Sequence, residues 1–175
     1  MDCYNNRYVC SKNYGYLNNS QYSSAIAYVS GSQEAPNIHG MIIFTDVPGG
    51  TEVFAEFVGL PIYKPASGND APVGPFGFHI HEYGMCQPGE SGEPFGAAGG
   101  HWNPTNQPHG NHAGDFPVIF SNNGYARMAF FTDKFKVQDV IGKSVIVHKN
   151  PDDYRTQPSG ASGNRIACGV IHPLL

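Results

Sequence analysis

The apolar positions of this chain fall in short runs, and turn chemistry separates one run from the next. Ala25–Ser30 (AIAYVS) stops at Gly31, and His39–Phe44 (HGMIIF) leads into DVPGG. Thr51–Val58 (TEVFAEFV) alternates outward Glu with inward Val and Phe, the period of two expected of a half-buried strand. Phe76–His81 and Val118–Phe120 follow, then the hairpin signal Asn122-Asn123-Gly124, and then Ala126–Thr132 (ARMAFFT). Ser144–His148 (SVIVH) and Ile166–Ile171 (IACGVI) close a set of eight candidate strands, and no segment carries an amphipathic helical period. Two connections, Glu82–Gly114 and Lys149–Asn164, exceed the usual loop length, and loops of that kind usually carry function. The pattern predicts an all-β antiparallel barrel or sandwich over residues 24–175. Residues 1–23 have no periodicity and read as a flexible Tyr/Asn-rich leader.

Composition narrows this further. With 40% hydrophobic and 14% charged residues, 22 Gly and 14 Pro, the chain is turn-rich and unlike a helical bundle. A formal net charge of −4 is not the field of a nucleic-acid binder. No apolar run approaches the roughly 18 residues needed to span a bilayer. The N-terminus lacks the hydrophobic region of a secretory signal, and a mature exported chain would look the same, so the compartment is left open. The four cysteines are Cys3, Cys10, Cys86 and Cys168. A bridge from Cys86 to Cys168 would tie the loop after the fourth run to the last one, stabilising by up to about 4–5 kcal/mol in the loop-entropy picture. Cys3 and Cys10 could pair locally, cross-link chains or stay free.

The chemistry concentrates between Phe78 and Asp115, which holds five of the eight histidines. His79 and His81 flank Ile80, so on a strand both imidazoles share one face. Neutral imidazoles at that spacing can chelate copper or zinc. Two structural histidines would explain a lone H-x-H, but they leave His101, His109, His112, Asp115 and His148 unexplained. His39 and His172 stand apart and read as ordinary, partly exposed residues. Phe76, Phe78, Trp102, Phe116, Phe120, Phe130 and Phe131 read as core or loop packing.

Taken in order, GFHIHEYG, GGHWNP, PHG, HAGD, VIVHKNPDD and GNRIACGVI resemble the copper,zinc superoxide dismutases over roughly residues 25–171. The resemblance implies an eight-stranded Greek-key β-barrel, an immunoglobulin-like sandwich with two long functional loops. It implies one copper per chain on His79, His81, His101 and His148, and one zinc per chain on His101, His109, His112 and Asp115. His101 would bridge the metals and store a proton when copper is reduced. Asp152 would hold a ligand ring on each side, and Arg165 would bind the superoxide anion. Asp152 and Asp153 could otherwise be a solvated acidic turn.

Two departures from the family pattern stand out. Only Gly110 and Asn111 separate His109 from His112, so the zinc loop must fold tightly around Gly110. The loop before Arg165 is short, lacks the family's acidic pair and offers Lys149 and Arg155 instead, which leaves less with which to steer an anion. The expected activity is dismutation of superoxide to oxygen and hydrogen peroxide. The rivals are a copper-buffering module and a structural surface-layer protein cross-linked through its leader. Expected partners are superoxide, with a second copy of the chain and a copper chaperone also compatible with the family.

Overall fold

The structure, a computed structural model, describes residues 23–174, so Cys3, Cys10 and nearly all of the expected leader lie outside the described residues. Seven strands form one curled antiparallel sheet: β1 (Ser24–Gly31), β2 (His39–Val47), β3 (Gly50–Val58), β4 (Phe78–His81), β5 (Ala126–Thr132), β6 (Ser144–His148) and β7 (Arg165–Pro173). Their order across the sheet is β4-β6-β7-β1-β2-β3-β5. β1 to β3 form a meander, whereas the connections from β3 to β4, β4 to β5 and β5 to β6 cross between the two ends of the sheet. The alternation read from β3 holds. Val53, Ala55 and Phe57 are buried and Glu52 is exposed, while Phe54 sits outside under the Arg127 guanidinium, 5.1 Å from its ring centre.

The eighth predicted run, Val118–Phe120, is not a continuous strand. It meets the segment before β4 only through isolated bridges, Phe76 with Ile119 and His79 with Asp115, which are out of register with each other by one residue. Pro117 lies between them and has no N–H to give to a ladder. The Val118 N–H donates instead to the Tyr154 hydroxyl at 3.0 Å. A four-residue helix, α1 (Val137–Val140), was not predicted, since one turn is too short to show a period. It buries Val137 and Val140, and the Val137 N–H donates to Asp46 Oδ1 at 2.9 Å. Phe120 and Phe131, read as packing residues, are 66% and 56% exposed.

Two apolar clusters lie on opposite sides of β4, β6 and β7. The main core takes Phe78, Ile80, Val145 and Val147 with the inward residues of β1 to β3. On the outer side, Ile146 and Cys168 pack with Ala98, Cys86 and Phe95. β4 and β6 are therefore buried on both faces, which explains why β6 reads as a continuous rather than an alternating apolar run. The outer side is covered by the 82–114 loop. A disulfide between Cys86 and Cys168, with Cα atoms 5.7 Å apart, fastens that loop to β7.

Replacing both Cys86 and Cys168 with Ser should lower stability by up to about 4–5 kcal/mol, since the bridge closes a loop of 82 residues. Chemical denaturation under oxidising conditions measures this. A double variant as stable as the parent would mean the bridge constrains nothing.

Candidate metal centre

Strand alternation puts His79 and His81 together on the outer face of β4, while Phe78 and Ile80 enter the core. β4 pairs with β6, whose outer residues are Ser144, Ile146 and His148. The third element is a β-bulge. Val147 pairs with Ala167, but His148 pairs with Arg165, with the register shifting between Val147 and His148. Ile166 and Ala167 consequently both enter the core, and Arg165 stands opposite His148 on the outer side. Bulges re-aim side chains in this way beside functional sites.

His79, His81, His101 and His148 each bring one ring nitrogen within 4.8 Å of the others. His81 Nε2 and His148 Nε2 face each other at 3.2 Å, while their Nδ1 atoms meet the carbonyls of Gly99 at 3.0 Å and Gly163 at 3.2 Å. A carbonyl only accepts, so each Nδ1 carries the proton and each Nε2 presents a lone pair. The His79 and His101 rings stack with centres 3.8 Å apart.

The Asp152 carboxylate governs the other side. Oδ2 meets His79 Nε2 at 2.7 Å, Oδ1 meets His109 Nε2 at 2.8 Å, and Oδ1 also accepts the Tyr154 N–H at 2.7 Å. With Nε2 engaged on both rings, the Nδ1 atoms are left over. His79 Nδ1, His101 Nε2, His109 Nδ1 and His112 Nδ1 are buried without a hydrogen-bond partner. Four orphaned imidazole nitrogens in one place are unfavourable for a protein alone and are what a pair of cation sites needs.

His101, His109 and His112 surround Asp115. His101 Nδ1 is 3.1 Å from Oδ1, His109 Nδ1 3.3 Å from Oδ2, and His112 Nδ1 3.2 Å from Oδ1. The short loop closes through Asp115 itself, whose Oδ2 accepts the N–H groups of Gly110 at 2.8 Å and His112 at 3.0 Å. Gly110 has φ +93°, and a Cβ there would collide with the Tyr154 carbonyl, so only glycine fits. Gln157 clamps the same loop, with Oε1 accepting the His109 N–H at 2.8 Å. His79 also comes within reach of His101, His109 and Asp115. His79 projects from β4 into the first cluster with His81 and His148, whereas His112 Nδ1 lies directly against Asp115 Oδ1.

Electrostatics suit metal binding. Burial, reinforced by the neighbouring imidazoles, pushes His79 and His81 well below the ordinary histidine range. Burial likewise lowers His101 against the pull of Asp115, and brings His148 down to about 3. Neutral imidazoles are the ligating form. Burial alone would raise Asp115, but the hydrogen bonds from His101 and the Gly110 N–H, with the adjacent imidazoles, bring it to about 2. Arg165 lies beside this cluster. Its Nη1 donates to Phe95 O and its Nη2 to Gly99 O, both at 2.6 Å. Its remaining N–H groups are available at a cleft of about 470 Å³ lined by residues 91–94 and 163–165.

All eight expected metal and anion residues thus gather in one region, together with Asp152. Asp153 is separate: it is exposed, and its carboxylate caps the turn through the N–H groups of Arg155 and Thr156. Lys149, Arg155, His39 and His172 are exposed. Sequence reasoning missed the contributors that act through backbone atoms, namely the Phe95, Gly99 and Gly163 carbonyls and the Tyr154 N–H. Their only trace in the sequence is the density of Gly in both loops.

A family model described as copper/zinc superoxide dismutase matches residues 38–171. A Cu-Zn superoxide dismutase of Deinococcus radiodurans is 36% identical over 154 residues, spanning 78% of this chain and 79% of that protein. One from Legionella pneumophila is 34% identical over 156 residues, 85% of each. Among solved structures, the Cu/Zn superoxide dismutase from Brucella abortus superposes with a TM-score of 0.68 at 29% identity, covering 84% of this chain and 98% of that one.

The depressed histidines give a signed expectation. Below the ordinary imidazole pKa of about 6.5 the unfolded chain binds protons that the folded chain refuses, so stability falls with pH. Metal-free protein should therefore lose stability as pH falls from about 6.5 toward about 4. Asp115, lowered from 3.8 to about 2, adds a further loss below its ordinary value. Urea midpoints across this range measure the effect. A midpoint flat or rising on acidification would contradict the buried neutral cluster.

Proposed function

The chain belongs to the copper/zinc superoxide dismutase family, and from that premise we propose that His79, His81, His101 and His148 hold its copper and His101, His109, His112 and Asp115 its zinc. The activity is the dismutation of superoxide: two superoxide anions and two protons give one oxygen and one hydrogen peroxide. The observation that carries the ligand assignment is the set of four buried, unpartnered ring nitrogens on His79, His101, His109 and His112. Added to them are the facing Nε2 atoms of His81 and His148.

When bound, copper supplies the one-electron chemistry and zinc a fixed positive charge. The protein's own residues do the remainder. Arg165 commits one N–H of each terminal nitrogen to a carbonyl and offers its other donors to a small anion, which a planar, permanently charged group suits. His101 presents a bare Nε2 beside the His79 ring, where a proton can be held and passed to product. Asp152 positions His79 and His109 by fixing their tautomers.

Arg165 also argues against a copper-buffering module, which has no use for a clamped guanidinium facing an open cleft. The surface-layer reading has only the leader composition behind it. The Cys86–Cys168 disulfide favours an oxidising, extracytoplasmic compartment. Among the described residues no helix is long and apolar enough to cross a membrane. A homodimer and delivery of copper by a chaperone are the associations this activity would use.

His148→Ala should lower copper occupancy and activity together, measured by metal analysis beside a superoxide-consumption assay. Full activity with normal copper would end the assignment. Asp115→Asn should reduce zinc content and thermal stability while copper stays, because the copper ligands sit mainly on strands. Unchanged zinc near one per chain would remove Asp115 from the ligand set.

A further inference from the structure

One charged residue at the cleft has no part in the reading above. Glu93 lines the same cleft as Arg165, and its carboxylate is anchored although exposed. Oε2 accepts the Ser91 hydroxyl at 2.6 Å. Oε1 occupies the hollow left by Gly89 and Gly96, where a Cβ on either glycine would collide with it. The turn also closes on the Glu93 backbone, whose carbonyl accepts the Gly89 N–H at 3.0 Å and the Gly96 N–H at 3.2 Å.

The same turn holds the guanidinium. Phe95, two residues beyond Glu93, provides the carbonyl that accepts Arg165 Nη1 at 2.6 Å. The carboxylate and guanidinium are therefore fixed by one short segment, itself joined to β7 by the Cys86–Cys168 bridge. The Ser91 hydroxyl, with the Arg165 charge assisting, keeps Glu93 below the usual carboxylate range. No Lys or Arg occurs between Glu82 and Gly100 to offset it.

We propose that Glu93 is a charge filter at the mouth of the site, favouring a singly charged anion at Arg165 over multivalent anions. Its fixed negative charge repels any entering anion in proportion to that anion's charge. A monoanion such as superoxide loses one increment of attraction and a dianion such as hydrogen phosphate two. The chain thereby gives up some superoxide rate and keeps phosphate off Arg165. This rests on the reading of Arg165 as the anion-binding group.

The test uses the metal-loaded protein with two readouts. Superoxide consumption is followed against ionic strength. Inorganic phosphate, largely dianionic at slightly alkaline pH, is titrated against the Arg165 side-chain NMR signals of the copper(I),zinc form. Glu93→Gln should raise the superoxide rate about twofold at low salt. The gain should disappear near about 0.3 M salt, where screening acts within a few ångströms. Phosphate affinity should rise by about the square of that factor, roughly fourfold, because the interaction scales with charge. Glu93→Asp, which keeps the charge, should behave like the parent, and Glu90→Gln, in the same loop but off the cleft, should change neither readout.

An unaltered rate and phosphate affinity in Glu93→Gln would overturn the proposal, as would a gain of equal size at low and high salt. Arg165→Ala separates the two levels. If it slows dismutation at least roughly tenfold and abolishes the phosphate response while Glu93→Gln is silent, only the filter falls. If Arg165→Ala changes neither, the anion-binding reading falls and takes the filter with it.

Discussion

The Asp152 carboxylate, buried between His79 and His109, is the contact on which the centre depends. It joins three segments remote in sequence: His79 on β4 lies 73 residues away and His109 in the 82–114 loop lies 43 away. Both side-chain contacts are fully excluded from water, so breaking either would strand a buried polar group at about 1–3 kcal/mol or more. The chemical consequence is larger than the energetic one. An ionised carboxylate only accepts, so each Nε2 must carry the proton and each Nδ1 is left bare. One side chain thus sets which nitrogen of the His79 ring and of the His109 ring is free to ligate. Gly160 shows how closely the chain passes this contact. With φ +67° it packs where a Cβ would strike Asp152 Oδ1 and His109 Nε2.

The second half of the centre is organised by backbone rather than by carboxylate. The Gly99 carbonyl meets both His81 Nδ1 and Arg165 Nη2, and the Gly163 carbonyl meets His148 Nδ1. The 82–114 loop can supply the Gly99 acceptor because the disulfide and the small outer cluster of Ala98, Ile146 and Cys168 hold it against β6 and β7. Position is therefore inherited from the sheet, through a bulge that turns Arg165 toward His148. His79, His81 and His148 sit on strands of the sheet, while His101, His109, His112, Asp115 and the cleft beside Arg165 belong to the connections.

Much of this was legible beforehand. Seven of eight strands could be placed because short apolar runs ending in Gly, Pro or Asn have little alternative to a sheet. The exception, Val118–Phe120, has the right composition. Pro117 interrupts its ladder and Tyr154 takes over the Val118 N–H, a partner 36 residues away that no local pattern announces. Phe120 and Phe131 misled for a related reason: an aromatic in a strand-like run signals burial on average, and these two lie on the solvent side.

The sequence by itself determined the ligand chemistry. Side-chain type and the period of two put His79 and His81 on one face, and the order of histidines, Asp115, Asp152 and Arg165 along the chain was enough to identify the family. These are covalent facts, carried by residue identity and spacing. Tertiary structure alone decided which nitrogen of each ring is bare, that the shortened loop closes through Asp115 onto the Gly110 and His112 N–H groups, and that Glu93 shares a cleft with Arg165. Each of those depends on a hydrogen bond or a steric gap between segments tens of residues apart. Such contacts arise only when the loops fold over the outer face of β4, β6 and β7, and no residue's identity encodes where its distant partner will lie.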